Sequence, residues 1–299
     1  MAASVAMTGT PAVRMARLKS FALVLPLALI LLVFVVAPLV FVLAVSVFRY
    51  DNFEVIPAFT LENYESVLQS HLTLSLYGSM LKLAAITWAC TLLIGFSVAG
   101  FLVFHVRNRL TAIGLFLLCT VPFWTSNVIR MISWLPLLGK QGVINQALLA
   151  TGLIHAPLHI LLFSDFSVVI SYVHLFTIFM IVPIFNSMSR IDRSLFEAAL
   201  DAGASRWHTL LFVVLPLTKS GIVLGSIFVV TLVMGDFYVV KVMSGGSDAS
   251  VVSAMYDDIS TLLFPHAAAS AAVLMIILTI MVAAILRFVD VRKELASHR

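Results

Sequence analysis

Charge is scarce in this sequence. Only 11% of its 299 residues are Asp, Glu, Lys or Arg and 62% are hydrophobic, whereas a soluble domain carries about 25% charged residues. That balance excludes an ordinary soluble core. Cysteine is nearly absent as well: Cys90 and Cys119 lie inside apolar segments without CxxC spacing, which argues against a disulfide framework or a zinc site and for buried small hydrophobes. There is no GxxxxGK[ST] phosphate loop, so the chain is not expected to bind ATP. The period-two alternation of a membrane β-barrel is missing, because the apolar runs are continuous and far longer than the ~10 residues of a barrel strand. Nor is there an internal repeat at solenoid or inverted-repeat scale, which counts against common secondary-transporter architectures.

What is present is a series of apolar runs at about residues 21 to 47, 74 to 105, 110 to 137, 166 to 187, 220 to 243 and 264 to 288. Roughly 20 apolar residues span a bilayer, and lipid leaves the backbone no partner but itself. The expectation is an all-α polytopic membrane protein with six transmembrane helices: a tail at 1–20, a transmembrane domain at 21–288 with a loop at 188–219, and a second tail at 289–299. The net charge of +4 points to membrane orientation rather than nucleic acid, because the cations cluster beside the spans. Arg14, Arg17 and Lys19 precede the first span, Arg107 and Arg109 follow the second, Arg190, Arg193 and Arg206 follow the fourth, and Arg287, Arg292, Lys293 and Arg299 close the chain. The alternate loops carry Asp51, Glu54, Glu62, Glu65, Asp248, Asp257 and Asp258 with few cations (Arg49, Lys140, Lys241). By the positive-inside rule both termini are cytoplasmic. The first run is too long for the ~7 to 15 residues of a signal-peptide core and reads as an uncleaved helix.

The cytoplasmic segment after the fourth span reads as two short helices. Ser194 and Glu197 have capping-box spacing. Ala198, Ala199 and Ala202 make a small-residue face, and Gly203 is placed to end the helix at positive φ. A second helix starts near Ser205, with Trp207, Leu210, Leu211 and Val214 on one apolar face. Pro216 should turn the chain ahead of the fifth span.

Glu197-Ala198-Ala199, three residues, Gly203, nine residues and then Val213-Val214-Leu215-Pro216 resemble the EAA signature of ABC importer permeases, with valine where the family writes isoleucine at 213. The resemblance implies a type I ABC importer permease in the bacterial inner membrane, with a pathway between two permease subunits. Ser194, Glu197, Ala198, Ala199, Asp201, Gly203, Arg206, Leu215 and Pro216 would then form the loop that docks on the ATPase. It further implies two ATP-binding subunits carrying ATP and Mg, a second and distinct permease, and an extracytoplasmic solute-binding protein. No catalytic residue, metal or cofactor is expected on this chain.

Ionisable side chains within spans are costly and mark pathways or pairs. At 1.5 Å per residue of straight helix, Arg130 lies about 30 Å along the third span, Asp236 about 24 Å along the fifth and Lys82 about 12 Å into the second. A pair of Asp236 with Arg130 or with Lys82 is thus geometrically possible, and either cation can also snorkel to the interface. The run from Pro122 to Arg130, with Trp124 and Asn127, interrupts an apolar helix as a cavity-lining segment does. His105, His174 and His266 lack a second ligand at helical spacing and read as polar packing. The 122–130 run, Gly235-Asp236-Phe237-Tyr238 and Ser244-Gly245-Gly246 are similar to the spermidine/putrescine permease branch. That resemblance implies Trp124, Asn127, Arg130, Asp236, Tyr238 and Lys82 along the pathway or gate, with aromatics and a carboxylate suited to an organic cation. The rival readings are an importer for another small solute, an ion-coupled secondary transporter, a membrane enzyme built on Asp257, Asp258 and His266, and a structural or receptor subunit with no pathway, which would leave the interruption at 122 to 130 unexplained.

Overall fold

The computed structural model describes residues 25–51, 54–106, 108–246 and 250–287, without the side chains of Arg109, Arg193, Leu200 and Arg206. Both expected tails, with Arg14, Arg17, Lys19, Arg292, Lys293 and Arg299, lie outside the described residues, as do Arg107 and Asp248.

Among the described residues, four helices are long and apolar enough to cross a bilayer: α1 (Leu25–Val45), α3 (His71–His105), α6 (Asp165–Met188) and α12 (Phe264–Leu286). Two more spans are bent pairs, α4 (Leu110–Trp124) with α5 (Asn127–Ala150) at 91°, and α8 (Trp207–Leu217) with α9 (Lys219–Met234) at 71°. The all-α, six-span architecture stands; the third span breaks within the expected 122–130 interruption and the fifth bends just after Pro216, as expected, while its helix ends at Met234, short of residue 243. In the third, Val121–Trp124 tightens to a 3-10 turn. Thr125 then supplies both its amide (3.2 Å) and its hydroxyl (2.8 Å) to the Pro122 carbonyl, so the break satisfies itself. In the fifth, the turn Leu210–Val214 widens ahead of Pro216, with the Leu215 amide reaching the Leu210 carbonyl. A proline ring crowds the carbonyl four residues back. Thr218 closes the bend, its hydroxyl donating to the Val214 carbonyl at 2.9 Å.

The remaining elements sit between the spans. A two-stranded antiparallel hairpin of β1 (Arg49–Asp51) and β2 (Glu54–Ile56) pairs Tyr50 with Val55, and α2 (Glu62–Gln69) follows. Asn63 ties α2 back to α1, its amide donating to the Ser46 and Phe48 carbonyls at 3.0 and 2.9 Å. Further along are α7 (Arg193–Asp201), α10 (Tyr238–Met243) and α11 (Val251–Ser260).

Helices α3, α6 and α9 form the centre, and glycine makes their approach close. A Cβ added at Gly95 on α3 would lie 2.8 Å from Met180 Cγ. One at Gly225 on α9 would lie 2.6 Å from Met180 Sδ, and one at Gly221 2.7 Å from Ser187 Cβ. Met180, fully buried, therefore fills the gap between two backbones. Gly221 and Gly225 are a G-x-x-x-G pair, which lets helices pack without a hydrophobic driving force in lipid. Polar contacts knit the same helices together: Trp88 donates to Ser226 Oγ at 2.7 Å, and Ser187 and Ser220 hydroxyls meet at 3.1 Å. Tyr77 donates to the Ser270 carbonyl at 2.8 Å, fastening α12 to α3.

Gly221→Leu is expected to force α6 and α9 apart at an overpacking cost of about 1–3 kcal/mol. Gly78→Ala, where nothing lies within 4 Å of the added carbon, should leave stability unchanged. Thermal unfolding of the two purified variants compares them directly; equal midpoints would contradict the packing account.

Candidate functional site

The loop between α6 and α9 folds as helix, bend and helix. Ser194 does not cap α7: it lies inside the helix, and its amide donates to Asp192 Oδ1 at 3.0 Å. Asp192 is the cap. Donation from the Ser194 amide, and then its hydroxyl, holds the Asp192 carboxyl below the ordinary carboxylate range. The capping box expected of Ser194 and Glu197 is therefore absent, because the helix begins two residues earlier than that spacing assumed. Glu197 is left exposed, and among the described residues it forms no ion pair. Ala198 and Asp201 are also exposed, while Ala199 is half-buried.

Gly203 closes α7 at φ +83°, a conformation that disfavours a Cβ. Ser205 then caps the second helix by accepting the His208 amide at 3.2 Å. The side chain of Arg206 lies outside the described residues. Beyond it the expected apolar stripe divides: Val214 is fully buried, whereas Trp207 is 73% exposed. Leu215 and Pro216 are exposed at the wide turn. One anchor escaped the sequence reading: Phe196 of α7 stacks on Phe104 at the end of α3, with centroids 5.2 Å apart. Phe196 stands beside Glu197, so a force on α7 passes into the second span. Aromatic spacing along the chain does not reveal a contact between residues 92 positions apart.

The polar residues of the spans fall into three places. Asp236 occupies the break Gly235–Phe237 between α9 and α10, where its Oδ1 accepts the Val239 amide at 2.8 Å and the Tyr172 hydroxyl at 3.3 Å. Tyr238, 40% exposed, stands beside it. Phe237 stacks on Tyr256 at 5.7 Å, and Lys241 Nζ sits 5.2 Å from the Tyr256 ring.

Arg130 lies beyond the 91° bend, is 6% exposed and is held by Asn127 Oδ1. Its Nε is buried without a hydrogen-bond partner. Nearby, Trp134 Nε1 donates to His174 Nδ1 at 3.1 Å. Lys82 forms an ion pair with Asp165 at 2.5 Å, both side chains about half exposed at 60% and 47%.

Among the described residues Asp236 forms an ion pair with neither Arg130 nor Lys82, and Lys82 meets Asp165 in an interhelical contact. The straight-helix rise failed at two helix breaks, which turn Arg130 off its projected axis and spend Asp236 on the backbone of α10. Trp124 is 84% exposed at the bend and Phe123 packs edge-on against Phe179 at 5.7 Å. Asp258 meets His266 Nδ1 at 2.7 Å, joining α11 to α12.

A family description matches this arrangement: residues 91–294 fit the binding-protein-dependent transport system inner membrane component. The chain belongs to that family. The permease is 35% identical over 217 residues to the spermidine/putrescine transport system permease protein PotB of Haemophilus influenzae, covering 72% of this chain and 74% of the relative. It is 32% identical over 255 residues to PotB of Escherichia coli (strain K12), covering 84% and 90%. Its fold superimposes on a chain of a bacterial alginate ABC transporter in complex with an alginate pentasaccharide-bound periplasmic protein, with a TM-score of 0.69, 15% identity and coverage of 91% of this permease and 94% of that chain.

Asp192→Ala should loosen α7. Because the Asp192 carboxyl titrates below its unfolded value of about 3.9, its contribution is complete above that pH and is lost as pH falls through the lower folded value. Hydrogen exchange of residues 193–201 would register this as faster exchange in the variant at neutral pH; unchanged protection would remove Asp192 from the cap.

Proposed function

We propose that this permease carries a small organic cation of the polyamine class inward, driven by ATP hydrolysed on two separate subunits. The observation that carries the reading is the loop from Asp192 to Pro216. It presents an exposed Glu197 on a helix that is capped at one end, bent by Gly203 at the other and stacked through Phe196 onto a membrane span. Glu197 has no structural duty in capping, so its exposed carboxylate is available to a docking ATPase. ATP and Mg belong to that partner. A second, distinct permease completes the pathway, an extracytoplasmic binding protein delivers the solute, and both termini face the cytoplasm.

The polyamine assignment rests on the PotB relatives and on the surroundings of Asp236. A carboxylate with Tyr172, Phe237 and Tyr238 about it offers charge attraction and cation–π stabilisation to an ammonium group. Lys82, a cation that would oppose such a solute, is neutralised by Asp165. Trp124, Asn127 and Arg130 belong to the same proposed path at the bend of the third span.

In the reconstituted complex, spermidine- or putrescine-loaded binding protein should stimulate ATP hydrolysis. Gly203→Pro, incompatible with φ +83°, should abolish that stimulation, and Glu197→Ala should weaken ATPase docking or uncouple it. Stimulation by amino acids, sugars or anions instead would overturn the substrate class, and normal coupling in both variants would overturn the loop's role.

Asp236→Asn should lower uptake of the cationic solute by about tenfold, corresponding to one lost charge-assisted contact, with complex assembly retained. An unaltered uptake curve would take Asp236 out of the path.

A further inference from the structure

An open groove of about 550 Å³ runs between α3, α9 and α12, walled by Leu81, Ala85, Ile222, Val230, Met281 and Ile285. Its two polar wall groups consume one another, since the Trp88 indole donates to Ser226 Oγ at 2.7 Å. The exception is Lys219, which lines one end of the groove at the start of α9 and is exposed. Among the described residues Lys219 forms no ion pair. The groove is thus apolar along its length and cationic at one terminus.

Its dimensions match one chemistry. From Lys219 to Val230 is eleven residues of helix, about 16 Å at 1.5 Å per residue, and half of a hydrocarbon core about 30 Å thick is about 15 Å. One acyl chain of one leaflet covers that distance with its headgroup level with Lys219. A cation between membrane helices at headgroup depth favours anionic lipid.

We propose that this groove is a binding site for an anionic phospholipid, one acyl chain lying along α9 and α3 and the phosphate against Lys219. The leaflet is the cytoplasmic one, a point that rests on the orientation given under the proposed function. Lys219 follows the Asp192–Pro216 loop directly, so the bound headgroup sits where α8 turns into α9 through 71°. The lipid thereby buttresses the bend on the side away from α6.

The test uses the intact complex exchanged into bilayer nanodiscs of equal phosphatidylglycerol and phosphatidylethanolamine, with retained lipid read by native mass spectrometry. Wild type should hold phosphatidylglycerol over phosphatidylethanolamine by about fivefold, the preference expected of one lysine at an anionic surface. Lys219→Gln should bring the two to parity, Lys219→Arg should keep the preference, and Ala85→Trp should reduce total retained lipid. Equal retention of the two lipids by wild type, or an unchanged preference in Lys219→Gln, would overturn the proposal. So would disulfide capture of the neighbouring permease by a Leu81→Cys variant, because the groove would then be a subunit contact. Lipid retention is read without transport or ATP hydrolysis, so its failure is distinct from failure of the polyamine reading.

Discussion

The close approach of α6 and α9 around Met180 is the constraint on which the rest of the permease depends. A break in a membrane helix exposes backbone groups that lipid cannot satisfy, and it survives only where protein covers it or the local chain re-pairs them. Gly221, Gly225 and Gly95 let three helices meet closely enough to make a rigid centre. Beside that centre two spans bend sharply, and each bend is closed by a threonine hydroxyl bonded to a nearby carbonyl. The bends then carry what distinguishes this molecule: the loop that leads into α9 and the polar segment about Trp124.

The Asp192–Pro216 loop and the spans are mechanically joined rather than merely consecutive. α7 stacks on the end of α3 through Phe196 and Phe104, and α8 passes through the wide turn ahead of Pro216 into α9. A displacement of α7 therefore reaches the second and fifth spans together. At the far end of α9, Asp236 accepts the Val239 amide and the Tyr172 hydroxyl. One helix thus links the bend beside the loop to the carboxylate at the opposite break, with Met180 packed against its middle. That continuity joins two distant groups of residues through one helix.

Much of the site was legible residue by residue, with specific failures. Gly203 at positive φ and the second helix opened by Ser205 followed from local chemistry. The cap did not, because Ser194 and Asp192 are both competent caps and a shift of two residues decides between them. The charged residues failed differently. Asp236, Arg130 and Lys82 were placed on straight axes, and Lys82 proved to pair with Asp165, a residue that stands just ahead of the fourth apolar run. The G-x-x-x-G of Gly221 and Gly225 was a usable signal for the central packing that the periodicity of the apolar runs concealed.

Composition and apolar length by themselves determined that this is a helical membrane protein of six spans, because lipid allows little else to a chain so poor in charge. The Glu197 to Pro216 spacing determined its family resemblance. Tertiary structure decided how sharply two of those spans bend, which carboxylate meets which cation, and that α7 stacks on the end of α3 through Phe196. The reason is range: hydropathy and capping act over a turn or a span, whereas ion pairs and helix breaks are settled by neighbours as far apart in sequence as Lys82 and Asp165.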